Sequence, residues 1–235
     1  HRTASRFLSR IALWRLPMPG GLPDAIILAV RLPRVLCVAL VGASLSLCGA
    51  AMQGLLKNPL ADGSTLGVSS GASLGAVLAI AFNLTVPGLP FAGTVVMAML
   101  FALASLLIIL ALAYRLDFSL STNTIILVGV IFSMFASSII SLIITFAPEK
   151  VRSITFWTLG SLQGASYANA ILLLGALALF GGAILAHARE LNAFAMGEEN
   201  ARNVGVNVRR VRLGILVCVS ALIGAAVSVG GAIGF

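Results

Sequence analysis

The fold of this chain is decided by the stretch GSTLGVSSGASLGAVLAIAFNLTVPGLPFAGTVVMAMLFALASLLIILALAY, residues Gly63–Tyr114, which contains no Asp, Glu, Lys or Arg. A helix needs about 20 apolar residues to cross the hydrocarbon core of a bilayer. The stretch is long enough for two such helices, and Asn83–Pro90 between them is rich in residues that break helices. It therefore predicts two consecutive membrane spans.

Four further stretches also lack charged side chains, and each is long enough for one span: Val35–Leu56, Phe118–Pro148, Ser153–Ala186 and Leu213–Phe235. We therefore predict an all-α, polytopic integral membrane protein with six spans in one transmembrane domain, residues 31–235. The expected bounds of spans one to six are 31–56, 64–82, 91–114, 121–146, 167–186 and 213–230.

Three segments outside the spans have their own character. Residues 1–30 hold four Arg and a Pro/Gly-rich stretch, so we expect an interfacial segment followed by a loop. Residues 151–159 are too short to span and carry Trp157, which favours a short helix at the membrane interface. Residues 187–212 form a polar region between spans five and six.

The composition is that of a membrane protein. Hydrophobic residues make up 60% of the chain and charged residues 9%, whereas charged residues make up about 25% of a soluble domain. The net charge of +8 does not indicate nucleic-acid binding, because the basic residues lie between apolar stretches, where Lys and Arg normally flank membranes. The chain begins at His1 and ends in an apolar run at Phe235, so we expect a piece of a longer protein, truncated at both ends.

The basic residues also bear on orientation. We call side B the membrane side that holds residues 187–212, and side A the opposite side. Side B carries seven basic residues, and side A beyond residue 34 carries Lys150 and Arg152, so the positive-inside rule makes side B cytoplasmic. Six Arg within the first 34 residues fall on side A and offset this bias. The assignment therefore assumes that an earlier span sets the topology.

The sequence lacks the residues that several kinds of function require. No ionisable residue is expected well inside a span, whereas ion-coupled transporters usually keep one at membrane depth; backbone carbonyls remain an alternative way to bind Na⁺. The phosphate-binding pattern G-x-x-x-x-G-K-[ST] is absent, so the energy for any driven transport would enter through another polypeptide. His1 and His187 are the only histidines. We therefore predict no catalytic residues, no metal site and no permanent cofactor.

Small residues repeat at helical spacing in span two. Gly67, Gly71 and Gly75 lie four residues apart on one face, and such spacing lets helix backbones approach closely. The pattern indicates either plain helix packing or the lining of a polar pathway.

The polar region 187–212 indicates two short helices that are broken at Gly197. Glu198 opens the second helix, where negative charge suits the helix dipole, and Arg202 lies four residues later, within pairing distance. Gly205 is well placed to terminate this helix. From spacing alone the region is either a docking element for a partner or a solvated connector.

Two arginines, Arg31 and Arg34, stand at the mouth of span one. Such residues can snorkel to lipid headgroups. They can also receive carboxylates from a partner outside the membrane, and the sequence pattern leaves both interpretations open.

Several separated motifs resemble the permease subunits of type II ABC importers, the family that imports iron–siderophores, haem and vitamin B12. They are RLPRVLCVALVGASLSLCGAAMQGLLKNPLADGSTLGVSSGASLGAVLA (Arg31–Ala79), PEKVRSITFWTLGSLQGA (Pro148–Ala165), AMGEENARNVGV (Ala195–Val206) and the closing GGAIGF. The resemblance covers about residues 26–235. It implies a ten-helix permease in a bacterial or archaeal cytoplasmic membrane, of which the six spans match the second to seventh helices.

The resemblance also implies partners and a function. The partners are a second copy of the permease in a homodimer, two cytoplasmic ATP-binding subunits and an extracytoplasmic binding protein. The permease itself would not be an enzyme, and it would translocate an iron–siderophore, haem or cobalamin-type chelate. A secondary transporter or channel without an ATPase is the alternative function, and a non-transporting scaffold is a third.

The resemblance assigns roles to individual residues. Arg31 and Arg34 match arginines that accept acidic residues of the binding protein. Thr122 and Asn123 match the narrow cytoplasmic gate, although a family permease has Ser where Asn123 stands. The short helix 151–159 matches one beside the extracellular exit of span four. A further set matches the coupling region that sits in a cleft of the ATPase: Gly197, Glu198, Glu199, Ala201, Arg202 and Gly205.

Overall fold

A computed structural model describes residues 26–59, 61–62, 66–84, 92–118 and 121–232, and every regular element within these ranges is helical. The helices are α1 (Ile27–Leu56), α2 (Val68–Ala81), α3 (Ala92–Leu116), α4 (Thr122–Phe146), α5 (Val151–Thr158), α6 (Tyr167–Ala186), α7 (Ala188–Ala195), α8 (Glu198–Asn203) and α9 (Val208–Gly230). The all-α class is therefore confirmed. The prediction for residues 1–25 lies outside the described residues.

Five helices of the described part are long and apolar enough to cross a membrane, namely α1, α3, α4, α6 and α9. Six spans were predicted, and the difference is span two. Its helix α2 has 14 residues, which at about 1.5 Å per residue reach only part of the way across a bilayer. The position at which α2 begins also differs from the predicted residue 64, because Gly67 is its N-cap.

Packing explains how a short helix suits this position. Most of α2 is buried, and it lies against α3, α4 and α9. Irregular backbone at membrane depth is tolerated where protein rather than lipid surrounds it. The helix therefore does not need to be long enough to span the bilayer by itself.

The glycines of α2 make this packing possible. A Cβ on Gly71 would overlap the Ser105 side chain, and one on Gly75 would lie 2.6 Å from Phe101 Cβ, so both face α3 at very short range. Gly67 has φ +73°, and a Cβ there would lie 2.7 Å from the carbonyl oxygen of Gly129 in α4. These contacts favour the packing interpretation of the glycine pattern over pathway lining.

The helix α9 is the most enclosed of the candidate spans and packs against α3, α1 and α2. It begins at Val208 rather than near residue 213, because the Asn207 side chain accepts a hydrogen bond from the Arg210 N–H (3.1 Å) and caps the helix. Arg212 therefore lies inside a candidate span, with 3% of its surface exposed. Arg212 is the fifth residue of α9 and lies near its side-B end, so it does not contradict the expectation that no ionisable residue lies well inside a span.

At the other end of the chain, α1 begins earlier than predicted. A π-helical turn, Ile27–Arg31, precedes the α-helical part Leu32–Leu56. Residues 26–30 are thus helical rather than part of a loop. A second π-helical turn, Leu177–Gly181, interrupts α6.

Candidate functional site

The two short helices α7 and α8 form one element at side B. Gly197 separates them with φ +123°, a backbone conformation that favours glycine. The element is anchored in the helix bundle by Phe194 of α7 and Ala201 of α8, both fully buried. Leu191 of α7 packs against Gly54 of α1, where a Cβ would lie 3.8 Å from Leu191 Cδ2.

The end of α8 is closed by a Schellman motif. Gly205 has φ +87°, and its N–H donates to the Arg202 carbonyl (2.9 Å). The Val206 N–H donates to the Ala201 carbonyl (3.0 Å), so the last carbonyls of the helix are satisfied. The structure thus places Gly205 at the position that the sequence pattern indicates for the terminator.

Two arginines meet the carboxylate of Glu198. Arg202, its predicted partner, lies at 3.9 Å between Nη2 and Oε2, and its side chain is 66% exposed. Arg212 of α9 makes the shorter contact, in which its Nη2 donates to Glu198 Oε1. Because Arg212 is buried, its ion pair with Glu198 is poorly screened by solvent and is the stronger of the two interactions. Sequence spacing could not reveal it, since the two residues lie on different helices.

The solvent-facing surface of α7 and α8 carries both charged and apolar side chains. Glu199 and Arg202 present opposite charges to solvent. Two large apolar side chains beside them, Met196 (68%) and Val204 (67%), are also exposed. Exposed apolar side chains ringed by charges are typical of a surface that binds another protein.

The predicted gate residues lie in the first turn of α4, also at side B. Thr122 is half-buried and Asn123 is exposed. The turn before them is braced by Asp117, whose Oδ2 accepts hydrogen bonds from the Ser121 N–H (3.1 Å) and the Thr124 hydroxyl (3.3 Å). The position of Thr122 and Asn123 is therefore tied to the loop that joins α3 to α4.

A row of exposed hydroxyl groups lies on the last turns of α4, at the end of the helix that is remote from Thr122 and Asn123. Its members share a face with Asn123 and are Ser137, Ser138, Ser141 and Thr145. Three of them donate to the carbonyl four residues earlier, at 2.9 to 3.0 Å, so their oxygen lone pairs remain able to accept. Sequence reasoning missed this row, although serine and threonine at intervals of three and four residues within an apolar span were the signal for it.

The predicted docking arginines lie at side A. Arg31 is exposed, and Arg34 is half-buried, with its Nη2 donating to the Gln163 carbonyl at 3.2 Å. The segment that holds Gln163, residues 160–166, follows α5 and is also joined to α9, because the Ser161 N–H donates to the Gly230 carbonyl (2.8 Å). Arg34 therefore also holds residues 160–166 against α1.

A cavity of about 450 Å³ opens beside α5 on the same side. Its walls include Asn83, Lys150, Trp157 and Asn169. The ammonium group of Lys150 donates to Asn83 Oδ1 at 2.5 Å and so joins the end of α2 to the start of α5. Among the described residues, no group of three or more His, Cys, Asp and Glu side chains is placed to hold a metal ion.

Comparison with known proteins agrees with this geometry. The sequence pattern of the FecCD transport family matches residues 9–235. The uncharacterized ABC transporter permease protein YvrB of Bacillus subtilis (strain 168) is 43% identical over 89% of this chain and 60% of its own length. The cobalamin import system permease protein BtuC of Halobacterium salinarum is 36% identical over 93% of this chain and 59% of its own length.

Two further relatives extend the comparison. The hemin transport system permease protein HmuU of Yersinia pestis is 36% identical over 88% of this chain and 62% of its own length. A solved ABC transporter described as metal-chelate type, in an inward-facing conformation, superposes with a TM-score of 0.80 at 31% identity. That match covers 93% of this chain and 69% of the solved chain. The chain spans about three fifths of the length of the three named curated relatives.

Proposed function

The chain belongs to the FecCD transport family, and from this premise we propose that it is the membrane-embedded part of a permease subunit in an ATP-driven importer. The proposed substrate is a chelate of the iron–siderophore, haem or cobalamin type. The relatives named for cobalamin and hemin transport support this substrate class. The proposed partners are a second copy of the permease, two cytoplasmic ATP-binding subunits and an extracytoplasmic binding protein.

The observation that carries this proposal is the geometry of α7 and α8. The element is firmly anchored in the bundle through Phe194 and Ala201, yet it presents Glu199, Met196 and Val204 outward at side B. A solvated connector would not need a buried anchor on one face and an apolar, charged surface on the other. This arrangement supports a docking surface for an ATP-binding subunit, through which movement of the partner reaches the spans.

The substrate path is proposed to run along the hydroxyl face of α4. The first turn of this helix holds the gate residues Thr122 and Asn123, and the short helix α5 follows its other end. The exposed hydroxyls between them would face the second copy across the dimer axis. A path lined by hydroxyls without fixed charges suits a large chelate better than a bare ion, which needs ligands in the wall.

At side A, the binding protein is proposed to dock at Arg31 and Arg34. Arg31 is exposed and Arg34 is half-buried, so Arg31 is the more accessible to carboxylates of a partner. Docking at Arg34 would also act on residues 160–166, since Arg34 holds the carbonyl of Gln163.

Reconstitution tests the proposed function. The full-length permease is placed in proteoliposomes with its ATP-binding subunits, and uptake of the chelate and ATP hydrolysis are measured with and without the binding protein. We expect uptake only with ATP, and hydrolysis that is stimulated by the loaded binding protein. Uptake by the permease alone under an ion gradient would overturn the proposal in favour of a secondary transporter.

Mass spectrometry of the ligand that the binding protein retains would identify the chelate.

A further inference from the structure

We propose that a series of side-chain contacts, joined by the first turns of α9 and by residues 114–118 and called the side-B relay, couples the docking helix α8 to the gate turn at the start of α4. Its members lie on α8, on α9 and at the junction of α3 with α4, and they are Glu198, Arg212, Arg209, Tyr114, Phe118 and Asp117. The inference rests on the proposed function and specifies which contacts carry the movement of α8 to Thr122 and Asn123.

The first link joins α8 to α9. Arg212 Nη2 donates to Glu198 Oε1, and the Arg212 side chain is buried while that of Glu198 is one third exposed. Removing Glu198 would take this carboxylate away from the buried charge of Arg212, which is unfavourable. A displacement of α8 therefore pulls the first turns of α9 along rather than separating the pair.

The second link joins α9 to the end of α3. Arg209 lies three residues before Arg212, so both are on neighbouring positions of one helical face. The guanidinium carbon of Arg209 is 5.2 Å from the centroid of the Tyr114 ring, within the range of a cation–π contact. Movement of the first turn of α9 thus reaches the last turn of α3.

The third link leads from α3 into the gate turn. The Tyr114 ring meets the Phe118 ring edge to face, with centroids 5.1 Å apart. Between them in sequence, Asp117 holds the Ser121 N–H and the Thr124 hydroxyl. Since Ser121 is the N-cap of α4, a shift of residues 114–118 changes the position of the first turn, which includes Asn123.

Helix packing alone is the competing explanation for such coupling. The helices α3 and α9 also touch near their middle, where a Cβ on Gly224 would lie 2.9 Å from Ala102 Cβ. That contact would move α3 as a rigid body whether or not the relay side chains are present. The two explanations differ in what happens when Tyr114 or Arg209 is truncated, because neither residue is buried.

The experiment uses the full-length permease assembled with its ATP-binding subunits. Cys37 and Cys48 are buried and Cys218 is half-buried, so the reporter background carries Cys218→Ala together with Asn123→Cys. The rate at which a membrane-impermeant maleimide labels position 123 from side B is measured with and without ATP. Tyr114→Leu and Arg209→Gln interrupt the relay, and Arg210→Gln is the matched control on the same helix. Among the described residues, the Arg210 side chain makes no hydrogen bond or ion pair.

We expect ATP to change the labelling rate in the reporter background and in the Arg210→Gln control. In Tyr114→Leu and Arg209→Gln the ATP-dependent change in the labelling rate should be smaller by between about twofold and about thirtyfold. This is the range expected for residues along a coupled network. Co-purification of the ATP-binding subunits should stay unchanged, which separates loss of coupling from loss of assembly. An unaltered ATP response in both relay variants would overturn the relay in favour of packing alone.

The ion pair between Glu198 and Arg212 is tested by exchanging the two charges. Glu198→Arg or Arg212→Glu alone places like charges together, whereas the double variant restores an opposite pair. We expect the double variant to recover the ATP response that each single variant loses, and no recovery would contradict the role of this pair. If the reporter background shows neither an ATP response at position 123 nor ATP-dependent uptake, the proposed function itself fails, and the relay fails with it.

Discussion

At Gly75 the absence of a side chain sets the distance between two helices. The space that a methyl group would need is already occupied by Phe101 Cβ, 2.6 Å away, and by the backbone of Met97. Neither group is the flexible end of a side chain, so relief requires the helices to move apart. The close approach of α2 and α3 therefore depends on single residues.

We expect Gly75→Ala to destabilise the permease by about 1–3 kcal/mol, the usual cost of overpacking a filled site. The measurement is thermal unfolding of the detergent-solubilised full-length protein. Gly49→Ala in α1 is the matched control, since no atom lies within 4 Å of its added Cβ. There the higher helix propensity of Ala should leave stability unchanged or raise it by up to about 1 kcal/mol. Equal effects of the two substitutions would contradict the packing role of Gly75.

The two arginines at side A should respond differently to substitution. Arg31 is exposed, so Arg31→Glu should weaken binding-protein docking alone, by an amount that falls as salt screens the charges. Arg34→Glu should weaken docking and also loosen residues 160–166, because the bond to the Gln163 carbonyl is lost while the bond between Ser161 and Gly230 remains. Affinity for the binding protein at low and high salt, together with hydrogen exchange of residues 160–166, distinguishes the two. Unchanged affinity in both variants would refute the docking site.

At the scale of the element, α8 is bounded by two glycines and divided into two faces. Glu198 and Ala201 face the bundle, whereas Glu199 and Arg202 face solvent. Glu198 therefore holds the element in place, although the family resemblance grouped it with the residues that couple to the ATPase. A test of docking has to leave Glu198 intact.

We expect the double charge reversal Glu199→Lys with Arg202→Glu to reduce co-purification of the ATP-binding subunits and to reduce chelate uptake at least as strongly. Exposed charges contribute little to the folded state, so the thermal stability of the permease should change by less than about 1 kcal/mol. Arg210→Glu is the control, because it reverses a charge at side B outside α8. Normal assembly and uptake in the α8 variant would show that the exposed face of α8 is not the docking surface.

At the scale of the whole molecule, the exposed face of α4 has to meet either lipid or a water-filled path. Ser141 and Phe135 are both exposed in this chain, but they point in different directions. Ser141 lies eighteen residues after Asn123, which is about five helical turns, and so stands directly in line with it. Phe135 is turned away by about 120° and lies outside the face that the hydroxyl row occupies.

This geometry predicts different reactivity for two introduced cysteines. In the assembled full-length importer, Ser141→Cys should react with a water-soluble maleimide, because the hydroxyl row lines the path. Phe135→Cys should react much more slowly, since thiolate formation is suppressed in lipid. Excess chelate with its binding protein should protect Ser141→Cys. Equal labelling of both positions would contradict a path on this face of α4.

Much of this architecture follows from local signals. The uncharged stretches predict the long apolar helices, because lipid disfavours a charged side chain at each position. Gly197 and Gly205 mark the ends of α8, because the backbone φ angles at these two positions favour glycine. The start of α9 is also marked locally, by the N-cap residue Asn207, whereas the apolar run alone predicts a start near residue 213. These features depend on a few neighbouring residues only.

What the tertiary structure decided is which residues meet across helices. It reduced the second span to the 14-residue helix α2, because neighbouring helices surround it. It placed Arg212 against Glu198, although Arg202 lies nearer in sequence and was the predicted partner. Residues that are distant in sequence come together only when the helices pack, and the strength of a charge pair depends on the burial that packing creates. Sequence spacing therefore determined the helices of this protein, and packing determined how the docking element is joined to them.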